Sequence, residues 1–122
     1  DWCSSPPVRA VVEQIEHAHL KVLWDFMHTQ RVLEKPDESF SMLAGHVAHL
    51  HAHDGKYVEG KMQVGALGEG AIDHQTPLHL LREAGFEGYF SVEVIHKVGA
   101  GADAERVMAQ YADAFCRMVV PI

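Results

Sequence analysis

Three short apolar runs with polar residues on alternate positions set the pattern of this chain. In chain order they cover residues 20–25, 46–55 and 89–94. The side chains of a strand point alternately to its two faces. One apolar face, which suits covering helices, is therefore formed by positions 20, 22 and 24, 48, 50 and 52, and 90, 92 and 94. The odd positions place Asp25, His51 and Glu93 on the opposite face, near the carboxyl ends of the predicted strands. One imidazole and two carboxylates are therefore expected to converge at one edge of a sheet.

Helical patterns surround and separate these strands. Apolar positions at helical spacing, caps, prolines in the first turn and terminal glycines mark four helices. Their approximate bounds are 4–17, 36–44, 76–84 and 103–118. Residues 26–30 are predicted as a strand-to-helix loop, and residues 99–102 as a further loop. Residues 56–73 are glycine-rich, and Gly65, Gly68 and Gly70 are expected to lie in a flexible loop over the site. Strands that alternate with helices imply parallel pairing and right-handed crossovers.

The predicted fold class is α/β. Three parallel strands cannot close into a barrel, yet the carboxyl ends of the strands are where an eight-stranded β/α barrel keeps its active site. A full barrel needs about 250 residues, whereas this chain has 122 and begins at Asp1 without an initiator methionine. We therefore expect a partial (β/α)8 TIM barrel with about the last three parallel strands and their helices. Residues 1–122 are expected to be a single carboxyl-terminal half.

The composition limits the kinds of partner that the chain is expected to bind. The formal net charge is −7 with the histidines neutral, and no basic stripe is present for a phosphate backbone, so nucleic acid is not expected. The sequence contains neither an apolar run long enough to span a membrane nor a cleavable leader, so a cytoplasmic protein without a membrane partner is expected. Cys3 and Cys116 match no metal or redox spacing and are expected to be ordinary thiols.

Several motifs resemble the xylose isomerase-like TIM barrels, also described as sugar phosphate isomerases/epimerases, in their carboxyl-terminal half. Residues 24–28 contain an Asp followed three residues later by a His, and residues 50–55 contain a His followed three residues later by an acid. Residues 68–73, 81–89 and 91–93 are similar to the family's connection into its eighth strand and to its terminal ligand.

The resemblance implies a site with assigned roles. In that family a Glu, an Asp, a His and a Glu from four successive strands hold a divalent metal, which makes Asp25, His51 and Glu93 three of the ligands. Glu93 is also the implied catalytic residue, and the first Glu would lie on a strand before Asp1. His28, His53 and Asp54 are the implied substrate-binding residues.

The implied activity is that of a metal-dependent sugar or sugar-derivative isomerase/epimerase. A bound Mn, Mg, Co or Zn ion would polarise a carbonyl of a small sugar or keto-acid substrate, and a neighbouring carboxylate would transfer a proton through a cis-enediolate. Without the first Glu, this chain alone is expected to be a weak catalyst or none.

Other interpretations stay open. Asp25 could be a helix cap, and His51 a buried histidine satisfied by a backbone carbonyl. The chain could be a non-catalytic half barrel that binds metal or assembles into a homo-oligomer, because its edge strands need covering. An apurinic-endonuclease-like hydrolase is a third alternative, but the metal-binding Asp-x-His expected before the Gly-x-Gly segment is missing from residues 58–63.

Overall fold

A computed structural model describes residues 2–94 and 104–119. Within these ranges the helices are α1 (Ser5–Ile15), α2 (Phe26–Arg31), α3 (Pro36–Leu43), α4 (Gln75–Glu83) and α5 (Ala104–Val119), with a 3-10 turn at Ala44–His46. The strands are β1 (Val22–Asp25), β2 (Val47–Ala52), β3 (Asp54–Val58), β4 (Lys61–Gly65) and β5 (Tyr89–Val92). The loop predicted at residues 99–102 and the predicted cap Asp103 lie outside the described residues.

Strands β1, β2 and β5 form a parallel sheet in the order β1-β2-β5. The register sets Asp25 beside His51, and His51 beside Ser91. Beyond the end of β5, the backbone N–H of Glu93 donates to the carbonyl of Ala52 over 3.0 Å, so the pairing with β2 continues to Glu93. The predicted parallel order and the partial barrel are confirmed.

The core lies between one face of this sheet and the helices. Trp24, Leu50 and Ala52 are buried on that face, and Phe26 is fully buried. The Phe26 ring meets Trp24 edge-on with centroids 4.9 Å apart, and the centroid of the Phe90 ring lies 5.7 Å from that of Phe26. Aromatic burial of this kind stabilises a small domain strongly, and it anchors the strand ends that carry the polar residues.

The other face of the sheet is open. Leu23 is 49% exposed and Tyr89 79% exposed on that face, while Ser91 lies 2.8 Å from His49 Nε2. In a closed β/α barrel this face forms the interior. Among residues 2–94 and 104–119, no helix is long and apolar enough to cross a membrane.

The loop prediction for residues 26–30 is wrong, because helix α2 begins directly after β1. The carboxylate of Asp25 accepts hydrogen bonds from the backbone N–H groups of Met27 at 2.8 Å and His28 at 3.4 Å. Such a side-chain cap satisfies amides that have no partner inside the helix. The helix has only six residues, too few for its apolar spacing to be recognised.

The first half of the glycine-rich residues 56–73 belongs to a pair of strands that the sequence analysis did not predict. Strands β3 and β4 pair as an antiparallel hairpin with Val58 opposite Lys61. The two turn residues, Glu59 and Gly60, both have positive φ, 50° and 76°. That backbone suits a two-residue hairpin turn, although a glutamate is unusual at its first position. The run predicted as one strand over 46–55 is split at His53 into β2 and β3.

Phe26→Ala should destabilise the chain by about 3–5 kcal/mol, since it removes a fully buried ring and leaves a cavity between sheet and helices. Urea unfolding followed by circular dichroism measures this change. Leu33→Ala is the control, because Leu33 is 80% exposed, and it should alter the free energy of unfolding by less than about 0.5 kcal/mol. Equal effects of the two substitutions would contradict the packing described.

Candidate metal centre

Asp25 lies at the end of β1 and is buried. Its Oδ1 atom caps α2, whereas Oδ2 lies 3.1 Å from His53 Nδ1 and 3.7 Å from His28 Nε2. Burial acts to raise the pKa of Asp25, but the hydrogen bond from His53 and the charge of His28 outweigh it, so the pKa lies below its usual range. The cap interpretation and the ligand interpretation therefore apply to different oxygens of one carboxylate.

His51 and Glu93 meet at the same edge of the sheet. The Nδ1–H of His51 donates to Glu93 Oε2 over 3.1 Å, and both side chains are partly exposed, at 23% and 34%. One ligand atom each from Asp25, His51 and Glu93 lies within 4.8 Å of the others. The structure thus brings together the three residues that the sequence analysis assigned as metal ligands.

His53 is almost fully buried, with 2% of its surface exposed. Its Nδ1 contacts Asp25 and lies 3.7 Å from Glu93 Oε2, so it stands between two carboxylates. The hydrogen bond with Asp25 raises the pKa of His53, and burial opposes that rise only in part. Nε2 of the same ring has no hydrogen-bond partner among the described residues, and a buried nitrogen without a partner is costly.

His28 lies at the rim of this group. Its side chain is 38% exposed, and its ring packs edge-on against His53 with centroids 5.8 Å apart. Its Nδ1 lies 3.9 Å from the sulfur of Cys3. Sequence spacing provided no signal for Cys3, because only the folding of the residues before α1 brings it to His28.

Asp54 is buried, and its side chain bonds to backbone amides. Its carboxylate accepts hydrogen bonds from the N–H groups of Gly55, Gly68, Gly70 and Ile72, at 2.8, 2.9, 3.1 and 3.4 Å. These bonds tie residues 68–72 back to the start of β3. Its contact with substrate stays a prediction, as do those of His28 and His53.

The residues at this edge fit a divalent cation. Two carboxylates and one imidazole are donors that Zn²⁺, Mn²⁺ and Mg²⁺ accept to different degrees. The unpartnered Nε2 of His53, buried beside them, shows that the polar groups here are not all satisfied by the described residues. The fold and the site together identify a β/α protein with a candidate metal centre at the carboxyl edge of its parallel sheet.

Comparison with known protein families agrees with the β/α fold. The model of the family described as "Xylose isomerase-like TIM barrel" matches residues 2–116. The chain belongs to the xylose isomerase-like TIM barrel family, and the resemblance found in its motifs is confirmed. No curated protein matches the chain.

Solved structures with the same fold include metal-bound proteins and epimerases. The IOLI protein with a bound zinc atom superposes with a TM-score of 0.78 at 19% identity, over 92% of this chain and 42% of its own. D-psicose 3-epimerase, solved in the presence of D-fructose, gives 0.72 at 15% identity, over 93% and 42%. A Mycobacterium smegmatis protein of the family in complex with magnesium gives 0.65 at 15% identity, over 96% and 41%. The chain spans about two-fifths of the length of these structures.

Asp54→Ala should speed hydrogen exchange at the amides of Gly68 and Gly70 and cost about 1–3 kcal/mol of stability, because four backbone amides lose their acceptor. Hydrogen exchange followed by NMR tests this, with the exposed acid Glu87→Ala as the matched control. Unchanged exchange at both glycines would show that the Asp54 carboxylate does not hold this segment.

Proposed function

We propose that this chain carries the metal-binding part of a divalent-metal-dependent isomerase or epimerase acting on a small sugar, sugar derivative or keto acid. Residues 1–122 then form the carboxyl-terminal half of its barrel. The observation that carries the proposal is the convergence of Asp25, His51 and Glu93, whose ligand atoms lie within 4.8 Å of one another at the carboxyl edge of the sheet.

Three findings support it. The family match covers residues 2–116. Epimerases share the fold, including D-psicose 3-epimerase and a 3-keto-D-glucoside 4-epimerase from E. coli. Zinc and magnesium are bound in two other proteins of this fold.

Asp25, His51 and Glu93 are the residues that would hold Mn, Mg, Co or Zn. A divalent cation in such a site would supply Lewis acidity. It would polarise the substrate carbonyl, so that a proton on the neighbouring carbon is easier to remove. The Oδ2 atom of Asp25 is the oxygen available for this role, because its Oδ1 is engaged by α2. The helix cap thereby fixes the direction in which the carboxylate faces.

Glu93 is the proposed base. Its carboxylate is 34% exposed at the open edge, so it can reach a substrate, while the hydrogen bond from His51 keeps it oriented. A carboxylate in this position takes a proton from the carbon beside the carbonyl and returns it to a carbon of the product. His28, at the rim of the site, would donate a hydrogen bond to a substrate hydroxyl or carboxylate in this proposal.

A non-catalytic, self-assembling half barrel is the second candidate. The open face of the sheet favours it, with Tyr89 79% exposed and Leu23 49% exposed, because apolar side chains of a sheet are normally covered. Light scattering separates the two candidates. A stable dimer that turns over no sugar would favour assembly, and a monomer that binds metal would favour the enzyme.

His51→Ala should weaken Mn²⁺ binding to this chain by about tenfold or more, since it removes one of three protein ligands. Isothermal titration with Mn²⁺ measures the affinity. His79→Ala is the matched control, because His79 lies exposed on α4, and it should leave the affinity unchanged. Equal affinity in wild type and His51→Ala would remove the basis of the proposal.

Glu93→Gln, introduced in the full-length polypeptide, should slow deuterium incorporation from solvent into the substrate by about 10²–10⁴-fold, the usual contribution of a positioned base. Proton NMR of a panel of ketohexoses and keto acids in heavy water, with Mn²⁺ present, measures it. Incorporation at the wild-type rate in this variant would assign the proton transfer to another residue.

A further inference from the structure

Two histidines of β2 make the same kind of contact across the sheet. His49 Nε2 lies 2.8 Å from Ser91 Oγ, and His51 Nδ1 lies 3.1 Å from Glu93 Oε2. In the strand register, however, His49 pairs with Tyr89, two residues before Ser91. Likewise His51 pairs with Ser91, two residues before Glu93. Each imidazole therefore reaches two residues beyond its register partner, and the two contacts repeat along the sheet.

The contact between His49 and Ser91 lies at a level where a barrel interior is normally apolar. His49 is nearer the amino end of β2 than His51, by about 6.6 Å along the strand. Branched apolar side chains dominate such interior layers of β/α barrels. On the β1 side His49 pairs with Leu23, which offers no polar group. Within the described part of the chain, Ser91 is therefore the hydrogen-bond partner of this half-buried ring.

The His49 ring also supports His51 by direct packing. The two rings meet edge-on, with centroids 5.5 Å apart and planes at 82°. Since Ser91 is the register partner of His51, its hydroxyl is the nearest alternative partner for that ring. His49 bonds to this hydroxyl and occupies the space beside it. The ring of His51 is therefore left with Glu93 as its partner on this side of the sheet.

His49 is not itself one of the converging ligands. Among the described residues, the group with ligand atoms near those of Asp25 includes His51 and Glu93 but not His49. We propose that His49 and Ser91 are positioning residues of the candidate metal centre, which hold the ring of His51 so that its Nδ1 stays directed at Glu93. The inference rests on the proposed function only in treating His51 as a metal ligand.

Four substitutions separate the hydrogen bond from the ring. Ser91→Ala removes the hydroxyl and leaves the His49 ring, whereas Ser91→Thr keeps a hydroxyl on a residue that suits a strand. His49→Ala removes the ring and the hydrogen bond together, and His49→Phe keeps an aromatic ring without the nitrogen. His79→Ala is the control, because the His79 side chain is 71% exposed on α4.

The first measurement is NMR of the imidazole N–H groups in the metal-free chain, which detects the Nδ1–H of His51 while Glu93 holds it. We expect this signal in the wild type, in Ser91→Thr and in His79→Ala. It should be lost through exchange with water in Ser91→Ala and His49→Ala, and weakened in His49→Phe.

The second measurement is Mn²⁺ affinity by electron paramagnetic resonance. The affinity should fall about tenfold in Ser91→Ala and His49→Ala, as when other groups that orient a metal ligand are removed. It should stay within about twofold of the wild-type value in Ser91→Thr and His79→Ala, because both keep the support of His51.

A purely structural role for the pair predicts a different result. Urea unfolding would then show lower stability in Ser91→Ala and His49→Ala, with the His51 signal and the Mn²⁺ affinity unchanged, and the inference would be overturned. The wild type alone decides the matter where a variant does not fold. The inference requires nuclear Overhauser contacts from the His49 ring to the His51 ring and to the β-protons of Ser91, and their absence would refute it.

The outcomes also separate this inference from the proposed function. If His51→Ala weakens Mn²⁺ binding while His49→Ala and Ser91→Ala change neither signal nor affinity, the proposed function stands and the inference fails. If the His51 signal responds as expected but His51→Ala binds Mn²⁺ like the wild type, the proposed function fails, and the pair still holds His51 on Glu93. If Mn²⁺ binding needs His51 but is unchanged when the signal is lost, the inference is overturned.

Discussion

The two oxygens of the Asp25 carboxylate make different contacts, and the arrangement of the site depends on that division. One oxygen holds the first amides of α2, and the other meets the buried ring of His53. Because the strand ends at this residue and the helix begins at the next, the carboxylate has little freedom to rotate. The cost of burying it is offset by donors on both sides. Histidines from β2 and from the segment after it can then gather around a fixed charge.

Much of the fold is encoded in simple alternation. Helices between the apolar runs predicted parallel strands, and the even positions Trp24 and Leu50 do face the helices. Helix α2 and the β3–β4 hairpin were not predicted, because each depends on a few local contacts and not on a repeating pattern. Helix α2 is too short to show a period, and its start depends on one side chain. The β3–β4 hairpin turns at Glu59 and Gly60, a pair that lacks the asparagine or aspartate usual at such turns.

The alternation of side chains along strands also made part of the candidate site predictable. Alternation on strands correctly brought Asp25, His51 and Glu93 to one edge. The same alternation would place His49, His51 and His53 on one strand face, but β2 ends at Ala52, and the ring of His53 contacts Asp25. A strand pattern cannot indicate where a strand stops. Nor can it reveal Cys3, whose approach to His28 joins parts of the chain 25 residues apart.

The hydrogen bonds to Asp54 divide the segment between β2 and α4 into two parts. The two parts differ in how well they tolerate insertions and substitutions. Amides of residues 68–72, which lie 14 to 18 residues from Asp54 in the chain, donate to its carboxylate, and at Gly70 a side chain would collide with that carboxylate. Length and shape are therefore restricted there. The hairpin tip at Glu59 and Gly60 is exposed and has open space around Gly60. An insertion or a fused peptide at the tip would therefore leave the edge that carries the histidines unchanged.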